Sequence, residues 1–242
     1  MNLILLQPHE LPSGHHGPVI LDDQRARHIT QVIRPSVGDR LRVGLVDGAM
    51  GLATVTQCID PQRVELEVTL ATLNTPPPAP LPVTLLLALP RPKVLRRVLQ
   101  TCTAMGIKQI YLINSYRVDK SYWQTPLLSD ESVHTQLLAG LEQARDTILP
   151  RVHLRSRFKP FVEDELPQLA ENKLCLTAHP ADTATPCPTA VRQQTLLAIG
   201  PEGGFITYEV DKLAQAGFEA ITLGPRILKV ETAIAALISR LF

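Results

Sequence analysis

Four cysteines, Cys58, Cys102, Cys175 and Cys187, are scattered through the 242-residue chain without a C-x-x-C pair. Neither a zinc site nor a disulfide framework is indicated, and the thiols read as reduced. No apolar run is long enough to span a membrane, and the opening segment from Met1 to Pro8 has neither the length nor the basic flank of a signal peptide. The expectation is a cytoplasmic protein with no membrane partner and no metal. The net charge is only +1, so nothing global marks a polyanionic partner and any nucleic-acid contact has to come from local patches. Also missing are a G-x-S-x-G elbow, an H-E-x-x-H pair, a Walker A lysine motif and a G-x-G-x-x-G fingerprint. Hydrolase, zinc protease, P-loop NTPase and dinucleotide-enzyme readings therefore lack their usual signals.

What is present is ordinary for a folded chain: 45% apolar and 19% charged residues, with length enough for one large or two smaller domains. The run Thr75-Pro76-Pro77-Pro78-Ala79-Pro80-Leu81-Pro82 favours polyproline II and cannot continue a sheet interior. It divides the chain into residues 1–74, a linker at 75–82, and residues 83–242. Before it, segments 40–46, 51–56 and 63–70 are strand-like, the last alternating as a half-buried strand does, with turns at Asp47-Gly48 and Asp60-Pro61, which predicts a small antiparallel sheet or barrel. A helix over 22–34 starts on Asp22-Asp23, places Ala26, Ile29, Val32 and Ile33 on one face, and leaves Arg25, Arg27 and Arg34 to solvent. Further basic clusters lie at 91–97 and 151–159.

After the linker, apolar runs at 83–89, 108–114, 173–178, 196–199 and 220–223 alternate with helical patterns at 93–105, 133–148, after Thr207, and from Val230 to the end. This is the grammar of an α/β domain with a mainly parallel sheet. Two of the runs end on Gly- and Pro-rich corners, Gly200-Pro201-Glu202-Gly203-Gly204 and Leu223-Gly224-Pro225-Arg226-Ile227-Leu228. Gly203 and Gly204 can take positive φ and admit a ligand to the backbone, while Pro201 stiffens the loop. Ligands of open α/β sheets sit beyond the carboxyl ends of the strands, where both corners fall. Thr207 is positioned to cap the helix after the first corner, with Glu209 and Asp211 in its first turn and Gly217 closing it.

These two corners, followed by Glu231-Thr232-Ala233, resemble the signature of the ribosomal RNA small subunit methyltransferase E family. Arg27-His28-Ile29, Val32-Ile33-Arg34, Gly38-Asp39, Glu142-Gln143-Ala144-Arg145 and His179-Pro180 extend the resemblance over nearly the whole chain. The chain differs at Ala104-Met105-Gly106-Ile107, where members commonly carry a glutamate, and keeps only part of the basic pattern in Ser115 to Lys120. The resemblance implies a PUA-like RNA-binding β-barrel at 1–74 and a SPOUT methyltransferase domain with a trefoil knot at 83–242, active as a homodimer. It implies S-adenosylmethionine held by Thr177, Ala178 and His179, by Gly200, Pro201, Glu202, Gly203 and Gly204, and by Leu223, Gly224, Pro225 and Leu228. The reaction it implies is methylation of N3 of a uridine in small-subunit ribosomal RNA, free or in the assembled subunit. Arg25, Arg27 and Arg34 would contact the RNA.

A methyl on a cationic sulfur is already activated, so the protein needs to align the acceptor and help it lose a proton. Arg226 is the candidate to stabilise the uracil anion; Glu202 either accepts the proton or holds its loop. Two other readings stay open on the residues: a non-catalytic RNA-binding protein with a degenerate donor site, and a small-molecule enzyme holding phosphate at the Gly-rich corner.

Overall fold

The computed structural model describes residues 2–11, 16–69, 71–181 and 184–242; Met1 and Leu70, which end segments read above, lie outside them. The chain divides into two compact units, Met1–Ala79 with Leu138–Leu149, and Pro80–Leu137 with Pro150–Phe242.

The first unit holds β1 (Ile4–Leu6), β2 (His16–Leu21), α1 (Gln24–His28), β3 (Arg40–Leu45), β4 (Met50–Asp60), β5 (Arg63–Thr69) and β6 (Leu73–Thr75). Its sheet runs β1-β3-β4-β5-β2, with β6 beside β4. All pairs are antiparallel except β1 with β3, which is parallel. Among the described residues no ladder joins β1 to β2, so the sheet is an open half-barrel. Side chains of period two sort its two faces. Ile4 and Leu6 pack inward with Val43, Val55, Leu66 and Ile29, while Leu3 and Leu5 face Val46 and Leu141. Leu141 belongs to the second half of α3 (Asp130–Ala144), a helix that stops short of the expected 148 because Arg145 turns left-handed at φ 56°.

Asp23 caps α1 as expected, accepting the Arg25 N–H at 2.8 Å. The apolar face read for this segment needs correction, since only Ala26 and Ile29 are buried, and Val32 and Ile33 are 66% and 40% exposed. A π turn over Ile29–Ile33 and a left-handed Arg34 rotate them out of the stripe.

The second unit is built on β7 (Val83–Ala88), β8 (Gln109–Ile113), β9 (Arg151–Arg155), β10 (Leu174–Ala178), β11 (Thr185–Pro186), β12 (Thr195–Ile199) and β13 (Glu219–Thr222). The strands lie in the order β11-β13-β10-β12-β7-β8-β9, every pair parallel. β7 and β12 are buried at every residue, which explains their unbroken apolar runs. Helices α2 (Pro92–Ala104), α4 (Phe158–Pro160), α5 (Leu166–Ala170), α6 (Thr207–Gln215) and α7 (Val230–Leu241) complete the unit. Gly106 at φ 84° and Gly217 at φ 88° end α2 and α6 as read. The apolar stripe of α7, Ile234, Leu237, Ile238 and Leu241, is buried, and α7 packs on α2.

Strand β9 was hidden by its charges. Arg155 pairs with Glu165 at 2.7 Å and lies over the Tyr111 ring at 5.7 Å, so part of the basic cluster at 151–159 closes a sheet edge. Among the described residues no helix is long and apolar enough to cross a membrane.

Within the first unit the Glu142 carboxyl makes no hydrogen bond among the described residues, and burial pushes it from 4.5 up to about 7, outweighing the pull of the Arg25 charge. A carboxyl raised on folding is penalised only once it ionises, so stability falls as pH climbs from 4.5 to 7 and then levels. Glu142→Gln should melt with the parent near about pH 4 and above it at about pH 8. A difference in melting temperature that is the same at both pH values would exclude burial of this carboxyl as its cause.

Candidate active site

The corner after β12 is forced by packing. A Cβ on Gly200 would stand 2.9 Å from the Phe205 nitrogen, so no side chain fits without moving backbone. Gly204 takes φ 73° and donates its N–H to the Pro201 carbonyl at 2.7 Å, closing the turn. Gly203, read as a second positive-φ position, is not one, and a Cβ there would meet the Arg117 side chain. Phe205 is buried and sits 6.5 Å from the Phe158 ring, anchoring the far end of the loop.

Helix α6 begins at Thr207, so Ile206 occupies the capping position expected for Thr207. The cap comes instead from Glu209, whose Oε2 accepts the Ile206 N–H at 3.0 Å. The same carboxylate accepts the Tyr116 N–H at 2.8 Å and the Ser115 hydroxyl at 3.0 Å. Glu209 is 2% exposed, and a carboxylate so buried is tolerated because it is met by three donors. It fastens the loop after β8 to the Gly-rich corner. Arg117 adds a second tie by donating to the Gly203 carbonyl. A third runs from Glu202, which accepts the Arg91 N–H at 3.4 Å and lies 3.9 Å from its guanidinium.

The corner after β13 is fixed by Thr222, whose hydroxyl accepts the Gly224 N–H at 3.1 Å, with Gly224 at φ 115°. His179, just after β10, donates its N–H to the Ile221 carbonyl at 3.1 Å. Three loops are thereby gathered at the carboxyl ends of neighbouring strands.

Between them lies one cleft. Ala178, His179, Gly200, Pro201, Glu202, Gly203, Gly204, Leu223, Gly224, Arg226 and Leu228 all line it, over an apolar floor that includes Ile199, Ile221, Val230 and Leu237. Of the residues expected to hold the methyl donor, Thr177 and Pro225 are not in its wall. Thr177 lies one residue below it on β10, 2% exposed, and its hydroxyl has no hydrogen-bond partner among the described residues. Such an orphan is uncommon and fits a site that expects a polar group. Ile227 is 83% exposed, while Leu223 and Leu228 are each 37% exposed, so the second corner shows apolar surface to solvent.

The arginines read as an RNA surface do not stay together. Arg25, expected in solvent, is folded back: its guanidinium pairs with Glu10, with Asp23 and with the Leu5 carbonyl. Its charge is spent on holding Pro8–Glu10 and β1 to α1. Arg27 is exposed and reaches Gln62 at 3.3 Å, and Arg34 is exposed with its Nε donating to the Gln31 carbonyl at 2.9 Å.

The sequence model of the RNA methyltransferase domain family matches residues 77–242. Ribosomal RNA small subunit methyltransferase E of Treponema pallidum is 30% identical over 98% of this chain and 88% of its own length. The chain belongs to the ribosomal RNA small subunit methyltransferase E family. The Synechocystis member is 29% identical over 89% of this chain and 69% of its own. The Neisseria gonorrhoeae member, solved bound to S-adenosylmethionine, shares the fold with a TM-score of 0.74 at 22% identity, covering 99% of this chain and 95% of that one.

Glu209 and Arg117 were not singled out from the sequence as site residues. An acid at the third position of a helix signals a cap, but its partners at 115 and 116 are distant in sequence. Glu209→Ala should strip acceptors from three donors and cost roughly 2–4 kcal/mol, since hydrogen bonds to charged groups are worth about 1.5–3 kcal/mol each and are not additive. Denaturant unfolding, with amide exchange at Tyr116 and Ile206, reads both effects. Unchanged exchange at Tyr116 would show that the carboxylate does not hold that loop.

Proposed function

We propose that this chain transfers the methyl group of S-adenosylmethionine to N3 of a uridine in small-subunit ribosomal RNA. The observation that carries the reading is the single cleft formed where three strand-end loops meet, two of them the Gly- and Pro-rich corners of the family signature. The residues fit the donor by their chemistry: glycine backbone at 200, 203, 204 and 224, and apolar walls for the ring and chain. When bound, S-adenosylmethionine supplies a methyl group already activated on a cationic sulfur. Ala178, His179, Gly200 to Gly204, Leu223, Gly224 and Leu228 hold it, with Thr177 and Pro225 supporting the loops from behind.

Arg226, exposed on the cleft wall, is the group assigned to the acceptor. Loss of the imide proton spreads negative charge over two uracil carbonyl oxygens, and a planar guanidinium can bind such an anion as it forms. Glu202 faces Arg91, which favours the loop-holding role over proton acceptance. Residues 1–74 serve as a PUA-like RNA-binding domain, 75–82 as the linker, and 83–242 as a SPOUT domain whose last segment passes through a trefoil knot. The active unit is a homodimer working in the cytoplasm on ribosomal RNA or the assembled small subunit.

The direct test incubates the protein and donor with small-subunit RNA from a strain lacking the gene. Nucleoside mass spectrometry should find new N3-methyluridine; methyl at another atom or none would overturn the assignment.

Two variants test the site. Gly200→Ala pushes on the Phe205 backbone and should weaken donor binding by at least about tenfold, a difference of about 1.4 kcal/mol. Gly203→Ala meets only the flexible Arg117 side chain and should stay within about threefold. Calorimetry that ranks them the other way would misplace the donor.

Arg226→Lys keeps the charge and loses the planar fork, so single-turnover rates should fall by about tenfold or more with little change in either binding constant. The deficit should shrink at higher pH, where the imide ionises unaided. A deficit that ignores pH reassigns Arg226 to holding the loop.

A further inference from the structure

The first unit carries a second pocket, of about 290 Å³, lined by Leu3, Arg42, Met50, Leu52, Thr75 and Arg145, with Gly51 in its floor. A Cβ on Gly51 would overlap the Thr72 carbonyl, so this position has to be glycine for the strands to approach. The β4–β6 ladder slips between Met50 and Gly51, and irregularities of that kind re-aim side chains and open sheet surfaces. The pocket is thus built into the fold by a close backbone approach and a register shift.

Its two cations come from distant parts of the chain. Arg42 lies on β3, and Arg145 follows α3. Both are exposed, and neither guanidinium has a hydrogen-bond or ion-pair partner among the described residues. Arg145 also holds φ 56° at a helix end where glycine or asparagine is the easy choice. A helix C-terminus favours a cation, but that does not account for a second guanidinium at the same small pocket. Arg40, two residues before Arg42, is likewise exposed and unpaired, and on a strand the two side chains point to the same face about 7 Å apart. Arg25 is a useful contrast, with two carboxylates and a carbonyl around its guanidinium.

We propose that this pocket binds one nucleotide of single-stranded RNA, its phosphate held by Arg42 and Arg145 and its base set against Leu52 and Met50. Unpaired guanidiniums match phosphate geometry, and an apolar wall accepts the face of any base. The volume is at the low end for ligand pockets, roughly 300 Å³, which admits one unpaired nucleotide and excludes a helical stretch. Arg40 continues the cationic row for the adjoining backbone. The inference rests on the RNA-methylating reading for the nature of the polymer, and it replaces Arg25 with Arg42 and Arg145 as the anchoring cations.

The test uses the full chain and fluorescence anisotropy with labelled oligouridylate over a salt series, with duplex RNA of equal length as a control. Arg42→Gln/Arg145→Gln should weaken oligouridylate binding by at least about tenfold and reduce the log–log salt slope by about 0.7, the contribution of the one single-strand phosphate that the two guanidiniums hold. Arg42→Lys/Arg145→Lys should keep most of the slope while losing affinity. Leu52→Ala should weaken binding without changing the slope, and an abasic oligomer should remove that sensitivity. Affinity for S-adenosylmethionine should be the same in all variants. The inference is overturned if the parent does not bind oligouridylate, if it prefers the duplex, or if the folded double glutamine variant keeps parental affinity and slope. Methyl transfer by the parent to small-subunit RNA is measured alongside. Transfer with unchanged oligomer binding sinks this inference alone, whereas arginine-dependent binding without transfer sinks the enzymatic reading and leaves the pocket.

Discussion

A buried carboxylate with three donors holds the second unit's loops in register. Glu209 sits at the start of α6, yet two of its three partners, Ser115 and Tyr116, belong to the loop after β8. Without that acceptor the backbone N–H groups of Tyr116 and Ile206 would each need another partner, and the Gly-rich corner would lose its base. Because the carboxylate is nearly inaccessible, water cannot substitute for any of the three. Arg117 and Glu202 then act on a loop that is already located, one through the Gly203 carbonyl and one through Arg91. The cleft is formed by loops, but loops tied to strand ends at several points behave as part of the sheet.

Most of what is local in this site was legible in the sequence. Glycine and proline act on their own backbone, so the corners at 200–204 and 223–228 could be placed from residue type, as could the stops at Gly106 and Gly217. The buried strands β7 and β12 announced themselves by unbroken apolar runs. The failures share a cause, which is that a contact decided by a distant residue leaves no mark at its own position. Arg25 looked free on a helical wheel because Glu10 lies fifteen residues earlier in a separate turn. Thr207 looked like a cap because its hydroxyl is a common capping group, whereas Ile206 has none of its own and its N–H is met by Glu209. Strand β9 was read as a basic cluster because the partners of Arg155, the Glu165 carboxylate and the Tyr111 ring, are not adjacent to it in sequence. The exposure of Val32 and Ile33 follows from a π turn, which a fixed period of 3.6 cannot represent.

These corrections supply a rule for the chain's many arginines. Net charge says little here, since 24 basic and 23 acidic side chains nearly cancel. What separates them is whether a carboxylate has been provided nearby. Arg25 with Glu10 and Asp23, Arg155 with Glu165, and Arg97 with Glu231 each close a structural contact. A guanidinium so engaged would have to break those bonds before it could meet a phosphate, and a partly buried one such as Arg25 would leave its carboxylates stranded.

Arg40, Arg42 and Arg145 are exposed and unpaired on one unit, as are Arg63 there and Arg96, Arg151, Arg157 and Arg192 in the other among the described residues. An unpaired surface cation costs the fold little, because water solvates it, but it also contributes little to stability. What sets Arg42 and Arg145 apart is their place at a pocket formed by a register shift and an obligatory glycine. Arg226 in the other unit is likewise exposed, unpaired among the described residues, and set in the wall of a cleft that it shares with backbone, apolar side chains, His179 and Glu202. Place rather than lack of a partner singles out Arg42 and Arg145 in the first unit and Arg226 in the second, since each lines a pocket.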